Sequence, residues 1–424
     1  MNIIQAQNPF FEKYSTPHGT IPFDKIKTEH YEPAIREGIS RHDAEIDAII
    51  NNPEAPTFAN TIVAYEKSGQ LLNQVSTVFG NLLSAETNDD MQELAKNMMP
   101  LLSEHSNNIT LNEKLFARIK AVYIQKDQLT LTAEQKKLLE DIYSSFVRSG
   151  ANLEGEAKEQ YRALSKELSL LTLQFGENNL KETNDYKLVL TDTAQLAGLP
   201  QSAIDAAAET AKEKGVEGWV FTLQAPSYGP FMMYANNRDL RCKLYMAYNT
   251  KCSHDNETSN LEIVKKLANT RLAIAQLLGY NNFAEYNLKE RMAENSDAVY
   301  KLLNQLLDAY TPTAKQEYAE VEALARQING NNFTVMPWDW SYYSHKLKDL
   351  KFQIDDEMLR PYFELSKVKE GVFGLATRLY GITFKKNTDI PVYHKDVDAY
   401  EVFDKDGKFL SCLLYTSPSP RDTR

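Results

Sequence analysis

The sequence of 424 residues is short of cysteine and has no long apolar run. Its three cysteines, Cys242, Cys252 and Cys412, form no C-x-x-C pair, which excludes a thiolate metal knuckle and a disulfide framework. A membrane-spanning helix needs about 20 consecutive, mostly apolar residues, and the apolar runs here are much shorter. Basic residues number 47 against 58 acidic ones, giving a net charge of -11. We therefore expect neither a membrane nor nucleic acid as a partner.

Motifs that carry catalysis are also absent. The sequence has no His-Glu-x-x-His, no G-x-S-x-G elbow, no Walker loop and no G-x-G-x-x-G fingerprint. A helical zinc site needs two imidazoles one turn apart with a carboxylate beside them, and no two histidines here are three to five residues apart. The seven histidines are His18, His30, His42, His105, His254, His345 and His394. We expect each to be a solvated or core residue, and a site assembled from distant histidines stays the open alternative.

What is present is an ordinary globular composition, with 42% hydrophobic, 25% charged and 10% aromatic residues. Single hydrophobic cores stop growing at roughly 250 to 300 residues, so the length predicts at least two lobes. Most of the first 350 residues or so are predicted to be helical, because apolar residues recur at steps of three and four. Two such stripes are Ile62, Tyr65, Leu72, Val75, Phe79 and Leu82, and Tyr161, Leu164, Leu168, Leu171 and Phe175. Helix starts are expected at Asn60 and Asp89, and a helix over 257–278 should stop at Gly279.

Strand signals are few and short. They fall at 187–190, 219–223 and 382–384. A clearer signal is a small hairpin over 400–410, in which the Asp-Gly pair at Asp406 suits a β-turn. The acidic run from Asp404 also resembles the start of a calcium loop, but its glycine is misplaced and no Glu stands at the twelfth position. We interpret the run as a turn and expect the second strand to stop at Leu410.

Residues 411–424 differ in kind from those before them. They end in a polar Pro-Ser run without periodicity, which does not continue the hairpin pattern. From Cys412 onward the string is similar to the translation of a sequencing adapter, and a natural flexible tail is the alternative. We therefore expect 411–424 not to be native.

Three stretches of the sequence together resemble one family. They are Asn8-Pro9-Phe10 with Ile21-Pro22-Phe23, His30-Tyr31 and the helix entry Pro56-Thr57-Phe58-Ala59-Asn60-Thr61-Ile62; the run from Leu101 to Asn112; and Pro337-Trp338-Asp339-Trp340-Ser341-Tyr342-Tyr343 with Leu359-Arg360-Pro361-Tyr362-Phe363, Gly381-Ile382-Thr383-Phe384 and Ile390-Pro391-Val392-Tyr393-His394. In this order they resemble the thimet-oligopeptidase family of zinc metallopeptidases. The opening and the run around His105 are similar to its bacterial peptidyl-dipeptidase branch.

The resemblance implies a mostly α-helical, two-lobed ellipsoid with a deep channel and a small sheet beside the site. In this family zinc is bound by the two histidines of His-Glu-x-x-His and by a later glutamate, and the glutamate of the motif activates the attacking water. The channel admits short unfolded peptides, and the peptidyl-dipeptidase branch releases dipeptides from a free C-terminus. The implied organisation is an N-terminal helical region over 1–235 and the beginning of a catalytic region over 236–410, with 411–424 set apart.

The sequence departs from the family where zinc should bind. The zinc helix belongs some tens of residues beyond the turn at Asp404, so we assign no catalytic, cofactor-binding or metal-ligating residue. We expect zinc in the full-length parent and none in this chain, which is predicted to be an inactive N-terminal fragment. The alternatives are an endo-acting oligopeptidase of the same family and a non-catalytic helical scaffold that binds peptides.

Three further expectations concern location and packing. The opening MNIIQAQNPF has no export signal, so we expect a cytoplasmic protein, or a periplasmic one if a leader was lost. The aromatic run from Trp338 to Tyr343 and the imidazole of His394 are expected to pack and to hydrogen-bond rather than to bind substrate. Helix faces with Val372 and Leu379 are expected to lack partners, which predicts marginal solubility.

Overall fold

The structure of the protein is a computed structural model that describes residues 8–354 and 356–416. These residues are mostly helical, as the sequence predicts. The helices, numbered in chain order, are α1 (Thr28–Ile50), α2 (Gln70–Ala85), α3 (Asp89–Thr110), α4 (Glu113–Ile124), α5 (Ala133–Arg148), α6 (Gly155–Asp185), α7 (Gln201–Glu213), α8 (Ala225–Tyr234), α9 (Arg238–Asn249), α10 (Leu261–Leu277), α11 (Phe283–Leu288), α12 (Ser296–Asn329), α13 (Trp340–Phe352) and α14 (Leu365–Tyr380). The strands are β1 (Leu188–Leu190), β2 (Trp219–Phe221), β3 (Thr383–Lys386), β4 (Val397–Phe403) and β5 (Phe409–Thr416). Shorter helical turns lie at Pro9–Phe11, Pro17–Gly19, Phe58–Val63, Ala64–Glu66, Thr193–Leu196, Pro337–Asp339, Asp356–Leu359 and Arg360–Tyr362.

The chain forms two compact units that interleave along the sequence. Of the described residues, the first unit contains those up to Phe175, those in Ile263–Glu290 and those in Asn387–Ala399. The second unit contains the described residues of Gly176–Glu262, of Arg291–Lys386 and from Tyr400 to Thr416.

Two apolar clusters form the core of the first unit. The first joins α1, α4 and α5 through buried side chains that include Ile46, Ile62, Ile119, Leu139 and Phe146. The second joins α1, α2 and α3 through buried side chains that include Tyr31, Ile35, Val75, Phe79 and Met98. Helices α1 and α2 approach closely at Gly38, where an added Cβ would lie 2.9 Å from the Cα of Leu72. This glycine therefore allows the two backbones to pack nearly in contact.

The first predicted helix start is wrong by two residues and the second is correct. The helical turn that follows Pro56 begins at Phe58, because Thr57 and Asn60 cap each other: the Thr57 side chain accepts from the Asn60 amide and the Asn60 side chain from the Thr57 amide. Helix α3 begins at Asp89 as predicted, and the Asn88 side chain accepts from the Met91 amide. The first apolar stripe runs across the turns Phe58–Val63 and Ala64–Glu66 and then α2, and Gly69, in the left-handed region with φ of 69°, separates α2 from the two turns.

The second unit is built around a short sheet and a helix pair. Strands β1 and β2 are antiparallel, with Val189 opposite Val220, and both fall within the predicted strand segments. Helices α7, α8 and α9 cover this pair with a buried cluster that includes Leu188, Phe221, Phe231, Met232 and Leu244. A smaller cluster joins α12 to α13 through Val321, Ala325, Val335, Tyr342 and Tyr343.

The predicted hairpin belongs to a three-stranded sheet in the order β3-β4-β5. Its turn is confirmed: the Asp404 side chain accepts from the amides of Asp406 and Lys408, and Gly407 takes a φ of 77°. The expected end of the second strand at Leu410 is wrong, since β5 continues to Thr416. The alternation of apolar and polar residues ends early there, but backbone pairing does not require it.

The helix predicted over 257–278 is observed as α10, which begins at Leu261, and Gly279 follows it with a φ of 84°. Within 8–354 and 356–416, no helix combines the length and the apolar character needed to cross a membrane. The division into 1–235, 236–410 and 411–424, and the two-lobed shape with a channel, stay predictions.

Candidate functional site

The fold brings together two histidines that lie 63 residues apart in sequence. His42 is on α1 and His105 is on α3, and the Nε2 atom of His105 lies 3.1 Å from the Nδ1 atom of His42. The two rings meet edge to face with centroids 5.1 Å apart. His105 is 6% exposed, so this contact is an interior feature of the first unit. Spacing along the chain gives no sign of the pair.

A serine and an aspartate extend the pair into a chain of four side chains. The Nε2 atom of His42 lies 3.1 Å from the Oγ atom of Ser68. At the other end, the Nδ1 atom of His105 lies 3.3 Å from an Oδ1 atom of Asp43. We refer to Ser68, His42, His105 and Asp43 as the histidine chain. It links α1, α3 and the turn that precedes α2.

The backbone around Gly69 is shaped to fit the His42 ring. An added Cβ at Gly69 would lie 2.9 Å from two ring atoms of His42, and the residue has a φ of 69°. The Gly69 amide also donates to Oε2 of Glu45 at 2.6 Å. Glycine is needed here both for its left-handed conformation and for the close approach of the ring. The turn is therefore anchored to α1 by a hydrogen bond and by direct packing.

Burial disfavours a charge on either ring. For His42, burial lowers the pKa and His105 lowers it further, while Glu45 and Asp43 oppose the shift, and the net pKa is below the ordinary 6.5. For His105, burial lowers the pKa and Asp43 opposes it, again with a net decrease. Burial therefore favours the neutral form of each ring, and the Asp43 contact is an ion pair only when His105 carries a proton on both nitrogens.

The histidine chain does not fit a zinc ion. Zinc needs several lone pairs converging on one point, but the facing nitrogens of His42 and His105 share a hydrogen bond with each other. Among residues 8–354 and 356–416, no group of three or more His, Cys, Asp or Glu side chains could hold a metal. We therefore derive no chemical step through zinc from these residues.

The other histidines of the described chain have separate environments. His30 accepts at Nδ1 from the Lys27 amide at the start of α1, and His254 lies 3.9 Å from a Glu182 carboxylate. His345 is 8% exposed and lies 3.2 Å from Asp349. His394 accepts from the amide of Asp396, as expected of a structural residue. His18 takes a left-handed φ of 57°.

A second polar cluster occupies the interior of the second unit. Asp339 is fully buried, and its carboxylate accepts from Arg238 at 2.7 Å and from Arg241 at 2.9 Å. Arg241 is only 1% exposed and also donates to the carbonyls of Ala235 and Trp338. Burial would raise the pKa of Asp339, but the two guanidinium groups and the Met336 amide outweigh it and lower the pKa. Because the buried carboxylate is paired with two guanidinium groups, this cluster is a structural anchor.

The aromatic run from Trp338 to Tyr343 surrounds that anchor. Tyr342 and Tyr343 are buried, the Arg241 guanidinium lies 4.0 Å above the Tyr342 ring, and the Tyr342 hydroxyl donates to Asn236. Trp340 is 39% exposed and stacks on Tyr318. The expected packing role is confirmed for the two tyrosines. Asp339 stands inside the run that carries the family resemblance, but no sequence motif links it to Arg238 or Arg241.

The first unit has open grooves on its surface. One of about 390 Å³ is lined by Glu45, Ile49, Asn60, Lys67 and Ser68, among others. It brings the Ser68 end of the histidine chain to the surface. Lys67 and Glu45 place opposite charges on its walls, so it has no strong preference for ligands of one sign.

Comparison with known proteins shows which proteins the chain is similar to. Residues 231–423 match the model of Peptidase family M3. The chain is 37% identical over 421 residues to the dipeptidyl carboxypeptidase of Escherichia coli, covering 99% of this chain and 62% of that protein. It is 32% identical over 405 residues to oligopeptidase A of Escherichia coli, covering 95% of this chain and 59% of that protein. The chain thus spans about three fifths of the length of these relatives.

Proposed function

We propose that the whole protein is a zinc-dependent metallopeptidase that releases dipeptides from the free C-terminus of short, unfolded peptides. The observation that carries the proposal is the 37% identity to a dipeptidyl carboxypeptidase along 99% of this chain. The match to Peptidase family M3 supports the reaction class. In this proposal peptide hydrolysis needs residues that the described part of the chain does not supply.

We further propose that this chain alone is an inactive front part of the enzyme. The support is that it spans 62% of the length of the first relative and that its sequence has no His-Glu-x-x-His. The histidine pair that the fold does assemble is unsuited to zinc, because its nitrogens face each other. Zinc is proposed as a cofactor of the whole protein, and the cytoplasm as its compartment.

An endo-acting oligopeptidase is the second candidate. The specific support is the 32% identity to oligopeptidase A over 405 residues. The two candidates differ in what they need at the C-terminal end of the peptide. An exopeptidase must recognise a free carboxylate, whereas an endopeptidase cleaves away from both ends.

The test compares three tetrapeptides with the product of the uninterrupted gene. One has free ends, one has an amidated C-terminus and one has an acetylated N-terminus. The proposal expects cleavage of the free and acetylated peptides, with release of a C-terminal dipeptide, and loss of cleavage on amidation. Equal cleavage of all three would favour the endo-acting candidate. No cleavage by zinc-loaded protein would favour a peptide-binding scaffold.

A separate measurement addresses this chain. After dialysis, the 424-residue protein is expected to retain less than stoichiometric zinc and to leave the free tetrapeptide intact. Metal analysis and product chromatography give the two readouts. Stoichiometric zinc or clear hydrolysis would contradict the proposed inactivity.

A further inference from the structure

The histidine chain can bind different numbers of protons. Its hydrogen bonds can all form in some of these protonation states and not in others. A neutral imidazole carries one N–H and one acceptor nitrogen. The ring nitrogens of His42 and His105 make three contacts in series, to Ser68, to each other and to Asp43. Each contact needs one proton between its two heavy atoms.

With both rings neutral, all three contacts can be satisfied in one direction. The Ser68 hydroxyl donates to Nε2 of His42, Nδ1–H of His42 donates to Nε2 of His105, and Nδ1–H of His105 donates to Asp43. In the structure the Ser68 hydroxyl donates instead to the carbonyl of Tyr65 at 2.7 Å. That carbonyl also accepts from the Ser68 amide at 3.0 Å, so the hydroxyl can turn away without leaving it unpaired.

All the hydrogen bonds of the histidine chain can also form after one proton is added to the neutral rings. If His42 is doubly protonated, its Nε2–H donates to Ser68 and its Nδ1–H still donates to His105. The Ser68 hydroxyl then keeps its bond to Tyr65, as the structure shows. The positive charge lies near Asp43 and Glu45, the two carboxylates of α1 that act on this ring. The hydrogen-bonded chain remains complete.

The hydrogen bonds of the histidine chain cannot all form after a second proton is added. With both rings charged, the N–H of His42 points at the N–H of His105 across 3.1 Å, and two positive charges face each other inside the unit. Neither nitrogen can accept, and the buried contact is lost. We propose that the histidine chain is a proton-operated latch, which holds α1, α3 and the turn at Gly69 together with zero or one proton and opens when a second proton binds.

The charged groups around the two rings and the burial of the rings affect how readily each ring binds a proton. The charged groups that bear on the rings are Asp43 and Glu45, both on α1, and the turn before α2 contributes the neutral Ser68 hydroxyl. Helix α3 contributes His105 itself. Each carboxylate favours a charged ring, but burial works against this and leaves both pKa values low. Since the Gly69 backbone packs against His42, a ring that moves must also move the turn.

The latch is independent of the proposed peptidase reaction, and it is tested on the 424-residue chain by hydrogen exchange with mass spectrometry. The opening of the segment that contains Ser68 and Gly69 is compared between pH 7 and pH 5, after correction for intrinsic exchange rates. If opening requires one extra proton, it increases about tenfold per pH unit between the pKa of the second ring in the open state and the lower pKa of that ring in the closed state, and it levels off at still lower pH. His42→Gln and His105→Asn are expected to abolish this increase. His254→Gln replaces an exposed histidine that is not part of the histidine chain. This variant is the matched control and should retain the increase in opening at low pH.

A spectroscopic readout covers the case in which a variant does not fold. In protein with ¹⁵N-labelled histidine, the neutral form with both rings linked toward Asp43 requires the Nδ1–H tautomer at His42 and at His105. On acidification one ring should become doubly protonated well before the other. The proposal is overturned if both rings are Nε2–H tautomers at neutral pH, if both titrate together, or if segment opening persists unchanged in His42→Gln.

Discussion

The two compact units differ in how completely their apolar helix faces are covered. In the first unit few large apolar side chains are exposed among the described residues, and Ile124 at 70% is the most prominent. In the second unit the stretch Arg291–Lys386 exposes rows of them. On α12 the row is Tyr300, Leu303, Leu307 and Tyr310, and on α14 it is Val368, Val372, Leu375 and Leu379. Both rows have helical spacing, so they are packing faces without a partner in the described structure.

An amphipathic pattern therefore predicts a helix with an apolar face that must pack, but it does not predict where the packing partner lies. The stripe that contains Val75 and Phe79 is buried within the first unit. The stripe on α14 has the same spacing, yet Leu379 is 64% exposed.

The largest expected effect comes from removing Asp339 in the second unit. Asp339→Ala would leave the 1%-exposed Arg241 without its carboxylate, and breaking a buried ion pair in this way costs about 3–5 kcal/mol. Urea denaturation measures the change in the free energy of unfolding. Asp205→Asn, at an exposed aspartate of α7, is the control and should be neutral. A small effect of Asp339→Ala would mean that the second unit is loosely packed throughout, not only at its surface.

A similar loss of folding stability is expected from a substitution in the core of the first unit. A substitution in the exposed apolar row of α12 should cost much less. Phe79 is 1% exposed, and Phe→Ala in a packed core costs about 3–5 kcal/mol. Leu303 is 51% exposed, and substitutions at such sites stay within about 0.5 kcal/mol. Thermal unfolding of Phe79→Ala and Leu303→Ala measures both. Equal losses would show that α12 is covered in solution, contrary to the comparison.

The sequence predicts the local elements better than the contacts between them. Helix α3, the turn at Gly407 and the stop at Gly279 follow from capping and turn chemistry, which act over a few residues. The end of β5 was missed because strand pairing is set by the neighbouring strand rather than by alternation. These are cases where local rules succeed or fail on physical grounds.

The polar clusters could not be predicted. His42 and His105 meet only because α1 and α3 pack side by side, and Arg241 meets Asp339 across 98 residues of sequence. No spacing rule applies to such contacts. The sequence alone shows that His-Glu-x-x-His is absent, because the residues of that motif are close together in sequence on a single helix.

A smaller effect is expected at Gly69, and it tests how tightly the first unit is fitted. Gly69→Ala would force a side chain into the left-handed region and place its Cβ 2.9 Å from the His42 ring, with an expected cost of about 1–3 kcal/mol. Gly80→Ala on α2 is the matched control, because its Cβ would meet nothing within 4 Å. In a helix interior that change should stabilise by about 0.5–1 kcal/mol. Opposite signs in thermal unfolding would support close packing at the turn, whereas equal effects would argue against it.

The smallest effect on folding stability is expected from charges placed on the open face of the second unit, although the effect on association should be clear. Leu303→Lys combined with Leu307→Lys interrupts the apolar row of α12 at two exposed positions, so the free energy of unfolding should change by no more than about 0.5 kcal/mol per site. Exposed apolar surface of this kind promotes association, and sedimentation velocity should show less self-association in the double variant. Asn304→Lys combined with Gln305→Lys adds the same two positive charges at exposed polar positions of α12 without removing an apolar side chain, and it should leave the association nearly unchanged. If the unmodified chain sediments as a monomer over the whole concentration range, the apolar rows on α12 and α14 do not drive self-association. The two units would then differ only in how much apolar surface they expose.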